Sequence, residues 1–136
     1  LLHRVDAQVL RKEFEQGRSI QWLVLRYVYA LMSQISFNAV CERLHSIEQR
    51  LVRWLLLADD RRTGSELALT QESLAHLLGV RREGVAIAAK RLQEAFLIDY
   101  RRGRIQIVDR IGLEANACSC YREIRAEYQR LTRDLG

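Results

Sequence analysis

Arg81, Arg82 and Glu83 are consecutive and directly follow Gly79-Val80. An arginine fork can donate two bonds to the O6/N7 edge of guanine, and a glutamate can accept from cytosine N4. A carboxylate set beside phosphates is otherwise a liability, so base reading explains this trio better than backbone holding. A plain helix start, with Glu83 favouring the dipole, is the alternative. Ile87 and Lys90 stand four and seven positions beyond Glu83, on its face if the segment is helical. Lys90 suits a phosphate, and Ile87 can at most touch a thymine methyl.

The other soft or titratable groups suggest less. Cys41 and His45 lie four apart on one helix face, and two chains could together supply four zinc ligands. A cysteine filling an apolar seam and a histidine beside a cap are the commoner roles. Cys118-Ser-Cys120 lacks Cys-x-x-Cys spacing and a second pair. No metal ligand is therefore expected, and the three cysteines read as reduced cytoplasmic thiols. His3 and His76 have no evident partners, and Glu123 and Glu127 read as solvated, with Arg130 within reach. No nucleophile–base constellation and no phosphate loop is visible, so neither catalytic nor cofactor residues are expected in these 136 residues, and an enzyme is not.

Reading a base edge demands a positioned helix. Residues 70–92 carry what a helix-turn-helix needs: small Ala75 at the helix crossing, Gly79 for a positive φ, and Leu74, Leu78, Val80, Val85 and Ala88 as shared core. Thr70 is the cap of the first helix, with Gln71 next to it, and the second helix is predicted over about 81–95. Phe96–Tyr100 and Ile105–Val108 flank Arg101-Arg102-Gly103-Arg104, which predicts a hairpin tipped with arginines; Arg102 is assigned to backbone contact. Glycine inside a helix is a weak point, so Gly84→Ser is expected to stabilise and to add a phosphate contact. Asp109 is expected to cap a last helix running to about Leu135.

Upstream, Asp6 caps a short helix over 7–15 that Gly17 stops. From Ser19 a long helix follows, with Ile20, Leu23, Tyr27, Ala30, Gln34, Phe37, Cys41 and Leu44 at alternating spacings of three and four. This seam is assigned to a dimer interface. Val24, Val28, Leu31 and Ile35 form a second apolar face beside it, assigned to a domain outside the chain. Ser46 and Gln49 make a capping box for a helix burying Ile47, Leu51, Trp54, Leu55 and Ala58; residues 59–66 read as a loop and 67–69 as a short strand.

Net charge is +5, and residues 81–110 hold eight basic against four acidic side chains, or +4 of it. With 49% hydrophobic and 29% charged residues the composition is globular. The apolar run 20–41 contains Gln21, Arg26, Gln34 and Asn38, too polar for a membrane span. The start, Leu-Leu-His-Arg-Val-Asp, looks like a cut inside a larger protein.

Three stretches carry a family resemblance: Ser46-Ile-Glu-Gln-Arg-Leu-Val-Arg-Trp-Leu-Leu, Leu69-Thr-Gln-Glu-Ser-Leu-Ala-His-Leu-Leu-Gly-Val-Arg-Arg, and Tyr100-Arg-Arg-Gly-Arg-Ile-Gln-Ile. With the long helix before them, they make the chain resemble the C-terminal part of the CRP/FNR, or cyclic AMP receptor protein-like, bacterial transcription regulators. That resemblance implies a mainly α fold with a small β-hairpin wing, a winged helix-turn-helix preceded by a dimerisation helix. The implied division is 1–18 as the remnant of a β-roll effector domain, with 1–5 its last strand, 19–45 as dimerisation helix and 46–136 as DNA-binding domain. It implies a cytoplasmic homodimer on double-stranded DNA, touched by Thr70, Gln71, Arg81, Arg82, Glu83, Ile87, Lys90 and Arg102, with RNA polymerase as a further partner. The effector is left open. Ile35-Ser36 stands where cyclic AMP receptors carry Thr-Ser, Ile87 where a further reading arginine is common, and Gly84 where Ser or Thr is usual. A winged-helix module binding an acidic protein is the alternative function.

Overall fold

The computed structural model describes residues 4–17, 19–61 and 66–133. It contains α1 (Ala7–Glu15), α2 (Ser19–Leu44), α3 (Ile47–Asp60), β1 (Glu66–Ala68), α4 (Gln71–Leu78), α5 (Arg82–Glu94), β2 (Ile98–Arg101), β3 (Arg104–Ile107), α6 (Arg110–Ala115) and α7 (Ser119–Arg133). The predicted strand at 1–5 lies mostly outside the described residues, and Arg4 and Val5 are not in a strand. Half of the 59–66 loop, residues 62–65, also lies outside them, and α3 continues through Asp59 and Asp60. No helix among the described residues is long and apolar enough to cross a membrane.

Two compact units result, one of residues 38–123 and one of residues up to 37 with those from 124 on. In the 38–123 unit the capping box forms as spaced: the Ser46 hydroxyl accepts from the Gln49 N–H and the Gln49 side chain accepts from the Ser46 N–H. It launches α3, which packs on α4, α5 and α6. Leu51 and Leu55 are fully buried as the stripe predicted, but so are Val52 and Leu56, and Arg50 and Arg53 are nearly so. Helix α3 is thus covered on several sides, more than its amphipathic pattern implies. Arg50 donates to the Leu78 carbonyl, placing a cation at the C-terminal end of α4 where the helix dipole favours it.

The three strands form one antiparallel sheet in the order β1-β3-β2, with Leu67 opposite Ile105 and Tyr100 opposite Ile105 on the other side. The predicted single terminal helix is two. Asp109 does cap α6, its carboxylate accepting from the Gly112 N–H at 2.9 Å. The Asn116 amide then turns back to the Gly112 carbonyl at 2.8 Å, competing with the helical ladder, and the helix stops before Ser119 restarts it.

In the other unit Asp6 caps α1 as expected, and Gly17 has φ +67°. The seam of α2 is not its open face. Ala30 and Cys41 are buried, Ile20, Leu23, Gln34 and Phe37 are half-buried, and only Tyr27 and Leu44 are exposed. Arg26 donates to the Arg130 carbonyl, and the Tyr128 hydroxyl donates to Gln34 Oε1 at 3.0 Å, so the chain's own α7 occupies that side. Val24, Val28, Leu31 and Ile35, with Leu25 and Met32, are the exposed apolar face. Both faces repeat at three and four, so spacing alone could not say which one the chain covers itself.

Candidate nucleic-acid interface

Helix α4 starts at Thr70, whose hydroxyl accepts from the Ser73 N–H at 3.1 Å. It ends on Gly79 at φ +61°, where the Val80 N–H reaches back to the Ala75 carbonyl. This left-handed glycine closure swings the chain into α5 in three residues. Arg81 occupies the N-cap of α5 without capping it through its side chain, so both its guanidinium and that of Arg82 stay exposed, as does Glu83. Val85, Ala88, Ala89 and Leu92 bury the opposite face. Ile87 and Lys90 extend the exposed one; Lys90 makes a solvent-exposed pair with Glu94 at 3.6 Å.

Gly84 does not belong to this face. A Cβ there would sit 2.7 Å from Ile47 Cδ1, so α5 leans on the first turn of α3 through its missing side chain. Gly84→Ser therefore brings its Cβ against the end of the Ile47 side chain, which must turn aside, and the gain from removing a helical glycine is set against that shift.

The wing turns through Arg102 at φ +51° and Gly103 at φ +73°. Two successive positive φ values are those of the tight I′ hairpin, and the first falls on an arginine rather than on Asn, Asp or Gly. Local strain of about 1 kcal/mol is the cost of carrying a cation at the tip. Two bonds fix the wing against Leu69, the residue before the cap of α4. The Leu69 N–H donates to the Gly103 carbonyl at 2.7 Å, and the Tyr100 hydroxyl donates to the Leu69 carbonyl at 3.1 Å. An open cleft of about 470 Å³ results, lined by Thr70, Gln71, Glu72, Arg82, Tyr100, Arg102 and Gly103. Burial raises the Tyr100 hydroxyl above the ordinary tyrosine range, with the charge of Arg82 pulling the other way.

Thr70, Gln71, Arg82 and Arg102, far apart in sequence, thus share one cleft, and Arg81, Glu83, Ile87 and Lys90 lie on the open side of α5. Sequence reasoning places Tyr100 only in a strand; a hydroxyl two positions from the hairpin tip was the available signal. The basic patch is smaller than composition suggested. Arg91 pairs with Glu48 at 3.6 Å, Arg101 with Asp99 at 3.0 Å, and Arg110 with Asp59, Asp60 and Glu114. Burial alone would lower Arg110, but the hydrogen bond and charge of Asp60 outweigh it and raise it. Arg110 therefore locks α6 to the end of α3 and is no phosphate contact.

The profile of the Crp-like helix-turn-helix domain matches residues 49–116, half of the chain. The chain belongs to the Crp-like helix-turn-helix family. Solved structures with the same fold include a protein described as a CRP/FNR-family transcriptional regulator from Eubacterium rectale, with TM-score 0.60 and 21% identity over 82% of this chain and 52% of that one. A CRP-family regulator from Thermus thermophilus gives TM-score 0.60 and 21% identity over 83% and 55%. A CRP/FNR-family regulator from the same organism gives 0.53 and 25% over 86% and 58%. The chain therefore spans a little over half the length of these structures. Among curated proteins none matches the sequence. Within this Crp-like domain the matched segment includes α4, α5 and the wing, so the cleft and the exposed arginines all lie inside it.

Proposed function

We propose that the chain is the DNA-reading part of a homodimeric transcription regulator, with α5 in the major groove and the wing on adjacent backbone. The observation that supports this best is the exposed trio Arg81, Arg82 and Glu83 at the start of α5, next to a wing tip that carries Arg102 in a strained conformation. Helix N-terminal residues are those that reach base edges in this motif. Arg82 is assigned to a guanine and Glu83 to a cytosine, with Arg81, Lys90 and Arg102 on phosphates and Thr70 and Gln71 at the backbone beside them. Ile87 has at most a methyl to meet.

The dimer would form along α2, whose 26 residues span about 39 Å. The face assigned to the partner is Val24, Val28, Leu31 and Ile35, since the other side is occupied. Work in the cytoplasm alongside RNA polymerase is carried over from the family resemblance. Footprinting should find a two-fold symmetric site with half-site centres roughly 34 Å apart. Affinity should fall steeply with salt through counterion release. A single half-site, or no sequence preference, would refute the reading; binding to an acidic protein with no measurable binding to duplex DNA would replace it with the interaction-module alternative.

A further inference from the structure

Three cysteines and a histidine converge within the 38–123 unit. Cys41 stands in the last turn of α2 and His45 one residue past its end, while Cys118 and Cys120 flank the first residue of α7. Cys41 Sγ lies 3.7 Å from Cys118 Sγ and 3.4 Å from His45 Nδ1, and Cys120 Sγ lies 3.7 Å from His45 Nδ1. All four donor atoms fall within 4.8 Å of one another. Donors bound at about 2.0–2.3 Å around a tetrahedral ion are separated by roughly 3.3–3.8 Å, so the three measured separations match edges of such a tetrahedron. Thiol hydrogen bonding explains any one of these contacts. It does not explain why three thiols and an imidazole, with no carboxylate, meet at one point.

A second observation concerns charge. Arg53 is 6% exposed, and its Nε has no hydrogen-bond partner. Its guanidinium donates to Asn38 Oδ1, but among the described residues no carboxylate pairs with it. Its charge falls on both Cys41 and Cys120. A buried cation without a counter-ion is expensive, and its environment should supply a negative group. Three neutral thiols do not.

We propose that Cys41, His45, Cys118 and Cys120 bind one zinc ion as a structural Cys3His site, with Arg53 as the charge partner of the complex. The three thiols give up their protons to solvent on binding. A divalent ion with three thiolates and a neutral imidazole carries one net negative charge, which Arg53 cancels. The cysteines are 0%, 5% and 3% exposed, leaving no open position for a substrate, the mark of a structural rather than a catalytic site. With all four donors within 4.8 Å of one another there is room for one ion but not for an iron–sulfur cluster, whose four ligands are spread over two or more irons. This departs from the sequence expectation of no metal ligand, because the other half of the set lies more than seventy positions downstream of Cys41 and His45, in the same chain rather than in a second copy. The site is independent of the DNA-reading proposal.

The full chain, purified under reducing conditions, should contain one zinc per chain by mass spectrometry of metals. A strong chelator should lower Tm, and zinc should restore it. Cobalt added to the stripped chain should give tetrahedral visible bands with thiolate charge transfer, saturating at one equivalent. Cys41→Ser and Cys120→Ser should lose that spectrum, and His45→Gln, at a half-buried position, should shift it. Arg53→Leu should weaken cobalt binding roughly tenfold or more, as loss of an outer partner does. If the serine variants fail to fold, the cobalt titration of the unaltered chain decides. A reduced chain that retains no zinc, gives only an octahedral cobalt spectrum and keeps its Tm in chelator overturns the proposal.

Discussion

The two units of the chain use apolar residues in opposite ways. In the 38–123 unit Leu51, Val52, Leu55, Leu56, Leu74, Val85, Ile105 and Leu113 are completely buried. In the other, the buried hydrophobic residues are Ala30, Ile124 and Leu131 among those described, while Trp22, Tyr27, Tyr29, Met32 and Ile35 are about half or more exposed. The difference is one of geometry rather than composition. Helices α4 and α5 are apolar on one face and find each other, α3 and the sheet. Helix α2 is apolar on two faces, and among the described residues Val24, Val28, Leu31 and Ile35 stay exposed. One unit closes its own core; the other leaves an apolar face in solvent.

The comparison breaks most visibly if the two kinds of leucine respond alike. Leu92→Ala, in the core behind α5, should cost about 2–5 kcal/mol in urea unfolding, because it leaves a cavity. Leu31→Ala, on the open face of α2, should change the unfolding of the 38–123 unit by no more than about 0.5 kcal/mol. Equal losses would mean that the open face is not open.

Assembly gives the next test. Val28→Glu with Ile35→Glu should convert the proposed dimer to monomer in sedimentation velocity and leave the helical circular dichroism intact. Leu23→Glu with Phe37→Glu strikes the side occupied by α7 and should lower helicity as well. If the second pair dissociates a fully helical chain and the first does nothing, the two faces have been exchanged.

Within the 38–123 unit the exposed residues should separate by role. Arg82→Ala should cost about 1–3 kcal/mol on the preferred site and relax one base pair of it. Lys90→Ala should weaken all sequences alike and reduce the salt slope by about one. Ile87→Ala should matter less than Arg82→Ala in a binding-site selection. The smallest expected effect is at Phe96, which holds φ +57° at the end of α5 while 80% exposed. Glycine adopts that conformation without strain, so Phe96→Gly should raise stability by about 0.5 kcal/mol, the relief being partly offset by chain entropy. A loss instead would show that the ring supports the domain.

Local chemistry was legible where one residue and its near neighbours decide the outcome. Asp6, Ser46, Thr70 and Asp109 all cap helices as their side chains predict, and Gly79 makes the turn it was assigned. Arg81, Arg82 and Glu83 could be picked out because three consecutive charges at a helix start have few places to go. What was not legible depended on partners distant in sequence. Nothing near Gly84 announces Ile47 above it, nothing near Arg110 announces Asp59 and Asp60, and the seam of α2 looks the same whether α7 or another molecule covers it. The break after α6 was missed for a local reason, the Asn116 amide, whose weight against a good helical pattern is hard to judge from sequence.

The close approach of α5 to Ile47 at Gly84 bears on how far residue 84 can be varied. The atom met there is the far end of an isoleucine side chain and not backbone, so a small side chain at 84 is accommodated by a turn of Ile47, while residues 81, 82, 83 and 87 are exposed. A library that randomises residue 84 should therefore return glycine, alanine and serine and exclude the large side chains.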